Sequence, residues 1–460
     1  MGNLKADLNA LRNVLYVHYP LIGVLIGTFL VSASFGPYSN WDAQLEFEAA
    51  SNVVTKGLPY ISTGYMINQP PFGFYIAASI FRIVGLSYAK GVNIITLFGL
   101  GSVFLVYEIG STLYGKKTGL LAAAFFGLTP WQVFMSHAFL VDVQCLFLSL
   151  LYLLVGIWAI RKNSMKLVLL SGTIFGFALL TKLFSVFMLI PLVLILYFER
   201  SRGFKLTPKK TALFLLPTLI LQSVWYGGFA NQNFFGVYFN SDFTHPVKII
   251  APSILFLPRL LTESMGWFLI IGAIFSLLLS ISQRKLFPNA LRSDFICAAT
   301  IFGVLGLNFL LVVGFNVNAA YVSAFKYTYQ ALPIFCCLAA SLAIKSYSLF
   351  KFHFQKGKNH ILASLATTIG LAVISASIVE NMIFLYTHAG TELIFFRVDM
   401  ATGYPFQLFS PILETSCAQA IQLTAFFFIA FSLLLSLIIN RRFKNGIKRR
   451  FSEFYSSHKS

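Results

Sequence analysis

VHYPLIGVLIGTFLVSASF, residues 17–35, followed directly by GPYSNWDAQLEFEAASNVV, residues 36–54, is the stretch on which the fold turns. The first half contains no Asp, Glu, Lys or Arg and reaches the length of about 20 apolar residues that crosses a hydrocarbon core. The second half turns polar at once and brings in Asp42, Glu46 and Glu48. Leu45, Ala49, Asn52 and Val53 recur there at helical spacing beside a polar face, the pattern of a short helix lying at a membrane interface. Ser32-Ala33-Ser34 after the apolar run imitates a signal-peptide cleavage site. The run is long enough to span, so an uncleaved anchor is the preferred reading.

The same alternation continues along the chain. Of 460 residues, 57% are hydrophobic and 11% charged, well under the roughly 25% charged of an average soluble domain. Apolar segments fall near 17–35, 89–112, 118–134, 138–159, 166–181, 183–198, 211–229, 264–281, 295–315, 327–344, 361–379 and 419–439. The expected fold is an all-α polytopic membrane protein of about twelve transmembrane helices. No polar region is long enough for a second domain, so residues 1–460 read as one membrane domain that ends in a basic tail, 441–460. Residues 70–82 begin with Pro70-Pro71 and are too short to span, which makes them a second juxtamembrane helix of the first outer loop, 36–88.

A formal charge of +19 raises the question of nucleic acid, but that partner needs basic residues gathered on a soluble surface. Here they lie between apolar spans, and no nucleic-acid partner is expected. With the N-terminus cytoplasmic, 26 of the 34 Lys and Arg fall in cytoplasmic segments, which fits the positive-inside rule. Ten of the fifteen acids fall on the outer side. Acidic residues contribute little to insertion, so this gathering points to chemistry at the non-cytoplasmic face. The five cysteines show no C-x-x-C spacing and read as small membrane-buried hydrophobes.

Asp42 follows the first span closely, and an ionisable group at the top of a membrane cavity is a functional candidate by default. The structural alternative is an N-cap for the helix that follows. Three cations lie at outer positions. Lys182 sits in a turn between two short spans, Lys326 opens a span, and Arg259 lies in the loop 230–263. Interface snorkelling is the alternative for the two lysines, and pairing with Glu263 for the arginine. Asp142 stands near the outer start of a span, five residues after His137.

Asp42, an amphipathic helix, Gly57-Leu58-Pro59-Tyr60, and then Asn68-Gln69-Pro70-Pro71-Phe72-Gly73-Phe74-Tyr75 form an order that resembles the first outer loop of the GT-C glycosyltransferases. The similar branch holds the protein O-mannosyltransferases and the lipid A aminoarabinose transferases. Leu113 to Ala122, Leu128-Thr129-Pro130, Ser136 to Asp142 and Gly176 to Lys182 match its next segments, and Lys326-Tyr327 with Pro333 echo later ones. Two departures stand out: Ala43 follows Asp42 where the family often has a second acid, and His137 replaces an arginine common near the second-loop acid.

The resemblance implies a GT-C-like fold and displacement of a polyprenyl or dolichyl phosphate from a sugar by a lipid, glycan or protein acceptor. It implies a multi-pass protein of the cell membrane with its active site on the non-cytoplasmic side. An acceptor hydroxyl must lose a proton as it attacks, and Asp42 is the expected general base. The leaving phosphate gathers charge that Lys182, Lys326 or Arg259 would stabilise. Asp142, His137, Trp41, Glu46, Gln69 and Tyr75 are the expected substrate contacts. No cofactor is required by this chemistry; a divalent ion on Asp42, His137 and Asp142 is an alternative, since carboxylate and imidazole suit several metals. The rival reading is a secondary transporter or lipid-linked sugar flippase, whose ionisable groups belong near the bilayer midplane.

Overall fold

The computed structural model describes residues 19–39, 41–62, 64, 66–67, 69–200, 204–229, 261, 265–310, 324–356, 360–387 and 415–433. Their secondary structure is helical apart from two isolated bridges, Tyr38 with Ala138 and Tyr60 with Met66. In lipid every backbone polar group must be satisfied within its own segment, and a helix does this.

The chain opens with α1 (Tyr19–Ala33). The two first-loop helices follow as α2 (Trp41–Lys56) and α3 (Phe72–Val84). Then come α4 (Tyr88–Tyr114), α5 (Lys116–Leu128), α6 (Pro130–Ser136), α7 (Val141–Lys162) and α8 (Met165–Leu179). A 3-10 turn at Leu183–Met188 runs into α9 (Leu189–Glu199), and α10 (Pro208–Val224) follows. The second half contains α11 (Trp267–Ser282), α12 (Pro288–Phe309), the short α13 (Ala324–Thr328), α14 (Leu332–Lys356) and α15 (His360–Thr387). The last described helix is α16 (Thr415–Leu433).

Each apolar segment read from the sequence overlaps described helical residues, and 118–134 overlaps two helices, α5 and α6. Seven of the helices are long and apolar enough to cross a membrane, and an eighth span results if α5 and α6 count as one. Those two were expected as a continuous helix over 118–134. They are instead bent by 61°, because Pro130 has no N–H to continue α5 and suits the first turn of a new helix. The other expected spans, including α1, α8, α9 and α11, are shorter apolar helices. Their boundaries follow local chemistry: Ser87, Ser164 and Thr207 accept the amides of Lys90, Leu167 and Lys210 to open α4, α8 and α10.

α7 is the most enclosed of the spans, packing on α4, α8 and α9. α14 packs against α5, α11 and α15 on the other side of the bundle. Trp131, Tyr152 and Tyr329 are fully buried, and the Tyr329 hydroxyl donates to the Gln132 amide oxygen, joining α6 to the approach of α14. This frame holds the start of α7, the start of α2 and the turn after α8 at one end of the molecule.

Candidate active site

Asp42 lies in the first turn of α2, inside the helix rather than at its cap. Glu46 is one turn further on, so the two carboxylates project from the same helical face. Like charges at this spacing repel, and the arrangement is held because cations reach both. Lys326 of α13 donates to the Asp42 carboxylate. Lys182 donates to Asp142 Oδ2 at 2.6 Å and lies 3.6 Å from Glu46 Oε1. The second distance is an ion pair without a hydrogen bond.

Glu46 is anchored from the other side as well. Its Oε2 accepts the Val141 amide at 2.7 Å, one of the N–H groups that the start of α7 leaves without an intrahelical partner. The N-terminal end of α7 therefore faces two carboxylates, Glu46 and its own Asp142, which its dipole favours. The main chain around Lys182 is pinned too. The Cys145 thiol donates to the Lys182 carbonyl, and the Tyr152 hydroxyl donates to the Ser185 carbonyl at 2.7 Å.

Of the five charged groups, Asp42 alone opens to solvent. Its side chain is 42% exposed, against 4% for Lys326, while Lys182, Glu46 and Asp142 are buried. Burial raises the Asp42 carboxyl, but the Lys326 ammonium, with Lys182 beyond it, more than offsets this and holds it below the ordinary value. Glu46 goes the other way. Burial pushes it up, Lys182 counters that only in part, and Asp142 adds to the rise. Burial works against the Lys182 ammonium, yet Asp142 and Glu46 keep it firmly protonated.

The expected site residues separate into two groups. Asp42, Glu46, Asp142, Lys182 and Lys326 are brought together from α2, α7, the turn after α8, and α13. Of the others, His137 and Tyr75 are engaged elsewhere. Both ring nitrogens of His137 lie within hydrogen-bonding distance of backbone carbonyls, those of Val133 and Ser32. The imidazole thus ties α6 to the end of α1, and burial holds its basicity down. Among the described residues no three His, Cys, Asp or Glu side chains form a group that could hold a metal ion. Tyr75 donates its hydroxyl to the Gly57 carbonyl at 2.8 Å, bracing α3 against the end of α2. Trp41 begins α2. Arg259 and Glu263 lie outside the described residues.

Further polar groups beside the charges carry no motif. Gln330 donates to Cys145 Sγ, and its amide oxygen is buried without a hydrogen-bond partner. The Gln69 amide oxygen and both amide atoms of Gln144 are buried and unpartnered in the same way. Gln144 lies against Gly73, where a Cβ would come within 2.6 Å of its oxygen. Only glycine lets α3 approach α7 this closely. Buried amides without partners are costly, and Gln330 sits on Cys145, three residues beyond Asp142 on α7.

An all-helical bundle with several apolar spans and a charged cluster at one end, opening to solvent at a first-loop carboxylate, has the architecture of a multi-pass membrane protein. The comparisons with known proteins agree. Residues 68–226 match the family described as dolichyl-phosphate-mannose-protein mannosyltransferase. ArnT from Cupriavidus metallidurans in the apo state shares the fold with a TM-score of 0.53 at 16% identity, over 93% of this chain and 77% of that one. YycA of Bacillus subtilis (strain 168), provisionally named a mannosyltransferase, is 27% identical over 155 residues, and YkcB of the same organism, named likewise, is 27% identical over 153. Those matches take in 34% and 33% of this chain and only 22% and 21% of the relatives. The resemblance to the O-mannosyltransferase and aminoarabinose transferase branch of the GT-C superfamily therefore holds. The family match covers Gln69, Tyr75, His137, Asp142 and Lys182 and leaves Asp42, Glu46 and Lys326 outside its limits.

Proposed function

We propose that the protein is a membrane glycosyltransferase that moves a sugar from a polyprenyl-phosphate-linked donor to a lipid, glycan or protein acceptor at the non-cytoplasmic face. The observation that carries the reading is the pairing of a solvent-reaching carboxylate, Asp42, with buried ammonium groups. Lys326 contacts it directly and Lys182 lies behind. A secondary transporter would place such groups near the bilayer midplane, whereas this cluster sits at the ends of α2 and α7.

The chemistry balances within those residues. The acceptor oxygen attacks the anomeric carbon and gives its proton to Asp42 as the bond from that carbon to the phosphate oxygen breaks. The bonding pair leaves on the phosphate. A single displacement of this kind inverts the anomeric centre. One negative charge is lost at Asp42 and one is gained at the phosphate, so the total charge of the site is unchanged. Lys326, which contacts Asp42, can follow it from carboxylate to phosphate, and Lys182 adds a fixed positive charge behind it. Their burial strengthens this stabilisation compared with water. Glu46 and Asp142 hold Lys182 in place, and Gln69, Gln144 and Gln330 supply amides for sugar hydroxyls.

Asp42→Asn tests the assignment. It removes the base while keeping size and first-turn position. Purified variant should bind a polyprenyl-phosphate sugar as the wild type does and lose roughly 10²- to 10⁴-fold in transfer rate, the usual contribution of a general base. Transfer at the wild-type rate by correctly folded Asp42→Asn protein would overturn the assignment.

A further inference from the structure

At the opposite end of α7 from Asp142, the bundle contains an apolar crevice of about 190 Å³ between α7, α8, α9 and α10. Ile160, Leu192, Leu196, Phe204 and Phe214 are among the side chains that line it. The hydroxyls that border it are turned to backbone carbonyls: Ser171 donates to Tyr152 and Thr211 to Thr207. No free polar group is therefore offered to a polar ligand along its length. A shallower groove on α10 continues it and shares Leu206, Thr211 and Leu215. Val193 at its edge is 58% exposed, which at membrane depth means contact with lipid.

The end of the crevice is different. Lys210 belongs to its lining, and its ammonium is fixed by Asn163 Oδ1 at 2.6 Å and the Lys205 carbonyl at 3.0 Å, over the Phe204 ring at 4.0 Å. An ammonium has three donors, so this geometry leaves one directed elsewhere. Lys205 and Lys209 beside it are exposed, as is Lys162 next to Asn163. Between Asp142 and Asp242 the sequence contains a single acid, Glu199, and that side chain is buried. An apolar slot between membrane helices with unneutralised cations at one end is complementary to a lipid with an anionic head.

We propose that this crevice binds an anionic glycerophospholipid of the leaflet opposite the candidate active site, with an acyl chain between α9 and α10 and the headgroup phosphate on Lys210 and Lys205. A neutral lipid would use the slot and leave the cations unmatched.

The test uses the purified full-length protein and native mass spectrometry, with phosphatidylglycerol and phosphatidylcholine of identical chains supplied in equal amounts. The wild type should retain phosphatidylglycerol in preference by roughly tenfold or more, since each of the two lysines near an anionic headgroup contributes on the order of a kcal/mol, roughly fivefold. Lys205→Gln combined with Lys210→Gln should bring the ratio near one. Val193→Trp, which fills the slot from its lipid-exposed edge, should lower retention of both lipids. All three outcomes together support the site. A preference unchanged in the double lysine variant would overturn it, as would release of phosphatidylglycerol by added polyprenyl phosphate, which would make the crevice part of the donor site.

Discussion

At the scale of single residues, the pairing of Asp42 with Lys326 sets a testable pH dependence. A general base works only when ionised, and this carboxyl is held below the ordinary value of 3.8. Wild-type kcat/KM should therefore stay level through the neutral and mildly acid range and fall only at still lower pH. Lys326→Met removes the cation that offsets burial. The carboxyl then rises, and the acid limb of the pH-rate profile moves upward with it. The position of the limb is the readout, because loss of a phosphate contact lowers the whole profile without displacing it. An unmoved limb in Lys326→Met would show that the pair does not control the base. Lys182 and Lys326 were legible as outer cations, and Asp42 as a charge just beyond a span. That they meet was not, since Lys326 reaches Asp42 across 284 residues. The surroundings of His137 were hidden for the same reason: the Ser32 carbonyl that engages it is 105 residues away.

At the scale of elements, a second buried ion pair lies outside the candidate site. Lys345 of α14 donates to Asp294 of α12, and to Ser276 Oγ of α11 at 2.8 Å, while the Tyr114 hydroxyl of α4 donates to Asp294 at 2.9 Å. Four helices are joined through one carboxylate and one ammonium, each nearly inaccessible. Removing one partner leaves the other charge buried and unmatched, which costs about 3–5 kcal/mol. Lys345→Met should therefore lower thermal stability markedly, and Asp294→Leu with Lys345→Met should recover most of the loss. Transfer by the folded fraction should be unchanged in both. Failure of the double variant to recover would mean that the helices depend on the polar contacts themselves. Neither residue stood out in the sequence, where Lys345 reads as a cytoplasmic-end lysine. Apolar periodicity and length made the helices legible, because the bilayer imposes both. The break at Thr129-Pro130 was not legible, since averaging hydropathy across it hides a change of direction.

At the scale of the whole molecule, the polarity of α7 links topology to mechanism. Asp142 at its start faces the candidate site, and Arg161 and Lys162 end it. Its 22 residues extend about 33 Å at 1.5 Å per residue, enough to cross a hydrocarbon core of about 30 Å. The two ends then lie on opposite faces, and the proposed orientation puts the basic end in the cytoplasm, as the positive-inside rule expects. Single-cysteine labelling resolves this with little disturbance. Cys145, Cys297, Cys336 and Cys337 are buried and only Cys417 is exposed, so a Cys417→Ser background is silent to a membrane-impermeant maleimide. Ser62 lies in the first loop with α2, and Lys162 is exposed at the far end of α7. In right-side-out vesicles Ser62→Cys should label at once, and Lys162→Cys only after permeabilisation. The reverse pattern would put Asp42, Lys182 and Lys326 on the cytoplasmic face. Labelling of both positions from one side would instead deny that α7 spans, and with it the separation of the charged cluster from the basic crevice on which both proposed sites depend.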